Sequence, residues 1–118
     1  MVKATFIKDD ENKKLELKLK GHAKACEEGH DLVCSSASIL AYTFAQIVSF
    51  MDKQGKLAVT PKVKLKEGDT VIKCEAKDDS SYAEALHSLY VVQVGYSLLA
   101  HNYPQNVELK VFGETKKS

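Results

Sequence analysis

The chain has 118 residues, of which 44% are hydrophobic and 28% charged. This composition is ordinary for one globular domain and excludes a disordered chain. The formal net charge of +1 predicts no strong general affinity for nucleic acid. Charged or polar residues interrupt the apolar stretches before they reach about 18 positions, so no membrane contact is expected. The first residues lack the apolar segment of a signal peptide, and a cytoplasmic location is the expectation.

A β-hairpin is predicted at the start of the chain. Residues 3–8 have strand character, and the polar run of residues 9–13 turns the chain. Leu15, Leu17 and Leu19 then alternate with charged residues, which is the period of a strand with one buried face.

An irregular loop is predicted from Gly21 to Val33, where no periodicity is visible. Loops of this length inside a small domain are often functional. Gly21 and Gly29 are the candidate hinges of a lid. From Ala37 an amphipathic helix is predicted, with Gly55 as a left-handed cap at its end. Its apolar stripe consists of Ala37, Leu40, Ala41, Phe44, Ile47, Val48 and Met51.

The second half of the chain repeats this order of elements. Two strands are predicted over residues 57–66 and 70–77, with Pro61 indicating an edge strand or a bulge. A capping box from Ser81 to Glu84 begins a second helix, Pro104 ends it, and residues 107–111 form a last strand. The inner face of this helix is predicted to comprise Leu86, Leu89, Val92, Gln93, Tyr96 and Leu99. The order ββαββαβ predicts a single α+β domain over residues 1–118, with two helices on a mostly antiparallel or mixed sheet.

The candidate chemistry lies at the two ends of the irregular loop. Three cysteines without a secretion signal make a disulfide framework improbable and point to a reactive or buried thiol. Cys34 is predicted at the start of the first helix, where free backbone N–H groups favour a thiolate, and His22 follows a strand. The pair forms a minimal activated nucleophile, and the same N–H groups would hold an oxyanion. The alternative is that Cys34 is a small buried hydrophobe, as Cys74 is predicted to be.

The loop and the residues after it include His22-Ala23, Gly29, Asp31, Val33-Cys34-Ser35 and Ser38. These residues at this spacing resemble the signature of the ribosomal-processing cysteine protease family, Prp. The likeness extends over the whole chain, through the initial hairpin and the second helix that ends at Tyr103-Pro104 before a short Val-x-Leu strand.

The resemblance implies a cysteine endopeptidase in which Cys34 is the nucleophile and His22 the general base. It implies a substrate as well, the apolar, Phe-rich N-terminal extension of a bacterial large-subunit ribosomal protein, and a homodimeric protein. No cofactor is implied. Cys26 and His30 take no role from the family.

Asp31 and Ser38 each have two interpretations. Asp31 fits the N-cap of the first helix, and its alternative is orientation of the His22 imidazole. Ser38 would brace the loop from inside the helix or bond to its own helix backbone.

Two other kinds of site compete with the protease. His22, Cys26, His30 and Cys34 recur every four residues and are all metal-ligand types, but Gly29 and the missing apolar stripe argue against one helix, and no metal is expected. A non-enzymatic ribosome-assembly or RNA-binding module is the alternative function. It would use a lysine-bearing sheet face of Lys18, Lys20, Lys64, Lys66 and Lys110. Such lysines are more often the solvated side of strands, no RNA-stacking aromatic pair accompanies them, and no direct nucleic-acid binding is expected.

Overall fold

The computed structural model describes residues 1–21 and 30–114, and the side chains of residues 30, 31 and 114 lie outside that description. The predicted order ββαββαβ is confirmed. The elements are β1 (Val2–Asp9), β2 (Lys14–Lys20), α1 (His30–Lys53), β3 (Lys62–Lys66), β4 (Asp69–Glu75), α2 (Asp79–Asn102) and β5 (Val107–Glu114).

The five strands form one mixed sheet in the order β3-β4-β2-β1-β5. β1 pairs in parallel with β5, and the other neighbours are antiparallel. The α+β prediction is therefore confirmed. β3 is an edge strand, and Pro61, which has no N–H to donate, lies just before it.

The core lies between one face of the sheet and the two helices. Leu15, Leu17 and Leu19 are all buried, as their alternation predicted, and Cys74 is buried on the same face. The ring of Tyr96 on α2 packs edge-on against Phe6, with centroids 5.6 Å apart. The Tyr96 hydroxyl donates a 2.6 Å hydrogen bond to the carbonyl oxygen of Ala37. Tyr96 thereby fixes α1, α2 and the sheet to one another.

α1 begins at His30, seven residues before the predicted start at Ala37. The physical reason is that the buried stripe already includes Val33, one turn ahead of Ala37. The prediction of irregular structure up to Val33 was therefore wrong for residues 30–33, and residues 22–29 lie outside the described part of the chain. Gly55 has a φ of 73°, which confirms the left-handed end of this helix.

α1 corrects one premise of the membrane expectation, namely that the apolar stretches are interrupted before about 18 positions. By length and composition alone, Leu32–Lys53 is long and apolar enough to cross a membrane. Its stripe of Val33, Ala41, Phe44 and Val48 packs into the core, however, as the central helix of a folded domain does.

Two further boundaries differ from the prediction. α2 is capped by Asp78, whose carboxylate accepts a 2.8 Å hydrogen bond from the N–H of Ser81, so the predicted capping box at Ser81 was wrong. β3 begins only at Lys62 because Pro61 interrupts the ladder, and Leu57 keeps an isolated bridge to Ala76.

Candidate active site

Cys34 lies in the second turn of α1 and not at its first residue. It is the fifth residue of a helix that begins at His30, so its own N–H falls within the intrahelical ladder. The unpaired N–H groups belong to the preceding turn, and the dipole effect fades beyond that turn. The expectation that Cys34 itself sits among the free helix-start amides was therefore wrong.

A groove of about 530 Å³ opens beside Cys34, between α1 and the β3–β4 turn. On the α1 side Cys34, Ser38 and Tyr42 recur every four residues, so they follow one another along one face of the helix. The opposite wall includes Lys66, Glu67, Gly68 and Thr70. Cys34 is a free thiol and is half-buried. It packs against the core and remains accessible to a substrate in the groove.

Gly21 brings the end of β2 to the same groove. Its φ is 87°, and its N–H donates a 3.0 Å hydrogen bond to the carbonyl oxygen of Gly68. A Cβ at this position would lie 2.3 Å from the carbonyl oxygen of Met1, so only glycine fits without displacement. Gly21 is thus a fixed point of the backbone at the groove, and the hinge motion predicted for it stays a prediction.

Ser38 is half-buried and lines the groove one turn after Cys34. Within the described residues its hydroxyl donates to no acceptor, in contrast to Thr43, which bonds to the carbonyl oxygen of Ile39 in its own helix. The alternative in which Ser38 bonds to its own helix backbone is therefore not observed, and its hydroxyl is open to the groove.

Several predicted site residues lie outside what the structure describes. His22 and Gly29 belong to residues 22–29, and the side chain of Asp31 is likewise outside. The backbone of Asp31 is helical, so its prediction as the N-cap was wrong, because a cap precedes the first helical residue. The distance between His22 and Cys34 and a role of Asp31 in orienting the imidazole remain predictions. Of the four metal-ligand types that recur every four residues, His22 and Cys26 belong to residues 22–29, the side chain of His30 is also outside the description, and Cys34 is described.

The sequence interpretation missed Tyr42 and the β3–β4 turn. In a helix that begins at His30, residues eight positions apart lie on the same face. This spacing would have placed Tyr42 on the same face as Cys34. The turn carries no such signal, because it reaches the groove only through the pairing of β4 with β2.

Comparison with known proteins identifies the family of the chain. The profile of the family described as cysteine protease Prp matches residues 1–108. The chain belongs to the cysteine protease Prp family. It is a cysteine protease, and the predicted resemblance is confirmed. Comparison with the curated proteins gives no match.

Solved structures share the Prp fold with this chain. A Streptococcus mutans protein is 24% identical, with a TM-score of 0.66 over 97% of this chain and 96% of that one. An essential ribosomal processing protease Prp from Staphylococcus aureus, in complex with a covalently linked product peptide, is 24% identical. Its TM-score is 0.68 over 94% of this chain and 99% of that one. The same protease with a substrate peptide is 21% identical, with a TM-score of 0.66 and the same coverage. At these identities the likeness shows the fold.

Proposed function

We propose that this protease processes a ribosomal protein, removing the apolar N-terminal extension of a bacterial large-subunit protein in the cytoplasm. Cys34 would be the nucleophile and His22 the general base. The observation that carries the proposal is that Cys34 and Gly21, the residue before His22, line one groove. The Prp family match and the peptide complexes of the Staphylococcus aureus protease support it.

The chemistry follows from the two side chains. His22 takes the proton of the Cys34 thiol, and the sulfur attacks the scissile carbonyl carbon. The tetrahedral intermediate collapses as His22 returns the proton to the leaving amine, which leaves an acyl-enzyme. Water, deprotonated by His22, then attacks the acyl carbon, releases the carboxylate product and restores the thiol. The open hydroxyl of Ser38, which lines the groove one turn after Cys34, would donate to the oxyanion.

The surroundings of the groove favour an apolar substrate segment. Leu19 and the ring of Tyr42 contribute apolar surface inside the groove. Beyond it, Val63 and Leu65 of β3 are 43% and 47% exposed on the helix-bearing face of the sheet. An extension rich in apolar residues would cover this surface.

The test is cleavage of a peptide that carries an apolar, Phe-containing N-terminal extension. Cys34→Ser should keep the fold, because the change is nearly isosteric, and should abolish cleavage. Cys26→Ser is the matched control, since it makes the same chemical change eight residues earlier in the chain and should spare activity. Cleavage by Cys34→Ser at a rate comparable to the parent chain would show that the nucleophile is another residue.

The oligomeric state is part of the proposal. We propose a homodimer that forms through the outer face of the helix layer. That face exposes three large apolar side chains of α1, Leu32, Ile39 and Phe50, and three of α2, Val91, Val94 and Leu98. An apolar patch of this kind on a small domain marks an interaction surface, and a second copy supplies a matching apolar face.

A further inference from the structure

The face of the sheet opposite the helices carries most of the lysines of the chain. Successive side chains of a strand point to opposite faces of the sheet. The buried residues and the residues paired with them on neighbouring strands therefore face the helices, and the residues between them face the open side. All 17 Lys and Arg positions of the chain are lysines. The lysines at open-face positions are Lys3, Lys14, Lys18, Lys20, Lys62, Lys64, Lys66, Lys73 and Lys110.

The charges on this face are unevenly distributed. In register, three rows of residues cross the sheet from the groove end, and a fourth row lies at the far end. The first row is Lys66, Asp69, Lys20, Lys3 and Glu108; the second is Lys64, Val71, Lys18, Thr5 and Lys110; the third is Lys62, Lys73, Glu16, Ile7 and Phe112. These three rows hold eight lysines and three carboxylates, whereas the fourth row has one lysine, Lys14, between Asp9 and Glu75. The formal charge of +1 for the whole chain conceals this separation.

The carboxylates among the lysines are already engaged. Asp69 accepts hydrogen bonds from both Lys20 and Lys64, and the pKa of its carboxyl is lowered to about 2, first by Lys20 and then by Lys64. Glu16 and Glu108 each lie within 4 Å of one lysine, at 3.7 Å from Lys18 and 3.4 Å from Lys110.

Four lysines of the first three rows have no such partner. Among the described residues, no carboxylate lies within ion-pair distance of Lys3, Lys62, Lys66 or Lys73. They are exposed, so each ammonium group can take an anion from outside without first breaking an ion pair.

We infer that this lysine face, the open face of the sheet, binds the phosphate backbone of an RNA duplex. Lysines along one strand recur about every 6.7 Å and neighbouring strands lie about 4.8 Å apart, so the face presents a broad grid of point charges. Such a grid suits repeated phosphates and carries no base recognition. Phe112 is the aromatic residue of these rows and stands on an edge strand, so a stacking platform for single-stranded bases is missing from the described face.

The basic end of this face adjoins the catalytic groove. Lys66 belongs to both, and Gly21 continues directly from Lys20 at the end of β2. An RNA duplex bound to this face would lie next to the catalytic groove. A substrate protein attached to the same RNA would then be close to Cys34. The inference goes beyond the proposed function, since RNA binding needs neither Cys34 nor His22.

The experiment measures fluorescence anisotropy of a labelled short RNA duplex as the full chain and salt are titrated. The test variant replaces Lys3, Lys62 and Lys73 by Gln, and the matched control replaces Lys53, Lys56 and Lys77, which lie at the far end of the molecule from the groove. Both variants lose the same charge. The test variant should bind on the order of tenfold more weakly at about 0.1 M salt, with the salt slope reduced by about one for each lysine that contacts phosphate. The control should bind like the parent chain.

Further arms separate the possible outcomes. Replacing the same three lysines by Arg should preserve binding, which would show that the positive charge is what the face requires. Peptide cleavage should be unchanged in both Gln variants, so failure of RNA binding and failure of the protease assignment are distinguishable. Equal weakening in test and control variants, no binding by the parent chain, or preferential binding to phosphatidylserine vesicles would overturn the inference.

Discussion

The thiols of Cys34 and Cys74 differ in environment. Cys34 is half-buried at the groove, whereas Cys74 is buried in the core, and burial raises the pKa of the Cys74 thiol to about 11. Iodoacetamide at mildly acidic pH should therefore label Cys34 well before Cys74, as mass spectrometry of the alkylated peptides would show. If the His22 imidazolium stabilises the Cys34 thiolate, His22→Ala should slow labelling of Cys34. Equal labelling of Cys34 and Cys26 across pH, or indifference to His22→Ala, would contradict pairing in the free protein.

Ser38 offers a second test at the scale of single residues. If its open hydroxyl donates to the oxyanion, Ser38→Ala should lower kcat by about 100-fold or more and change KM little, because the bond forms only in the transition state. Ser38→Thr keeps a hydroxyl and should recover part of the rate. Ser36→Ala, also half-buried but outside the groove lining, is the control. A rise in KM with unchanged kcat would assign Ser38 to substrate binding instead.

The junction of β2 with the groove depends on a glycine. Gly21→Ala combines a left-handed φ with a Cβ 2.3 Å from the carbonyl oxygen of Met1, and we expect a loss of about 2 to 4 kcal/mol in the free energy of unfolding. Gly55→Ala is a matched control, since its φ is 73° but no atom lies within 4 Å of the added Cβ, so it should cost about 1 kcal/mol. Urea denaturation measures both. Similar losses in the two variants would mean that the backbone at Met1 moves away freely.

The apolar outer face of the helix layer makes a prediction for the whole molecule. Sedimentation equilibrium should give a dimer, and the double variant Ile39→Lys and Leu98→Lys should give a monomer, because two charges would be buried against a second copy. Val63→Lys, an equally large change on the exposed edge strand β3, should remain dimeric. A monomeric parent chain, or a dimer lost equally in the Val63→Lys control, would contradict this interface.

The sequence alone determined the order of the elements, the buried strand positions and the family. Leu15, Leu17 and Leu19 show why, since alternation depends only on local geometry and the core needs one apolar face. The residues quoted for the family resemblance likewise stand within a short stretch of the chain, and the family profile, which matches residues 1–108, confirms the family.

Only the tertiary structure decided where the helices begin and what shares a surface. The sequence predicted Val33 as the end of a loop. In the structure Val33 is buried in α1, one turn ahead of Ala37, and Cys34 therefore lies in the second turn of the helix. Thr70 and Gly68 reach the groove because β4 pairs with β2, a contact between segments distant in sequence. The sequence predicted part of the lysine face, with Lys18, Lys20, Lys64, Lys66 and Lys110, and the structure adds Lys3, Lys14, Lys62 and Lys73. The charges of this face come from five strands whose register depends on long-range packing, so neither the net charge nor the alternation within one strand could show their separation.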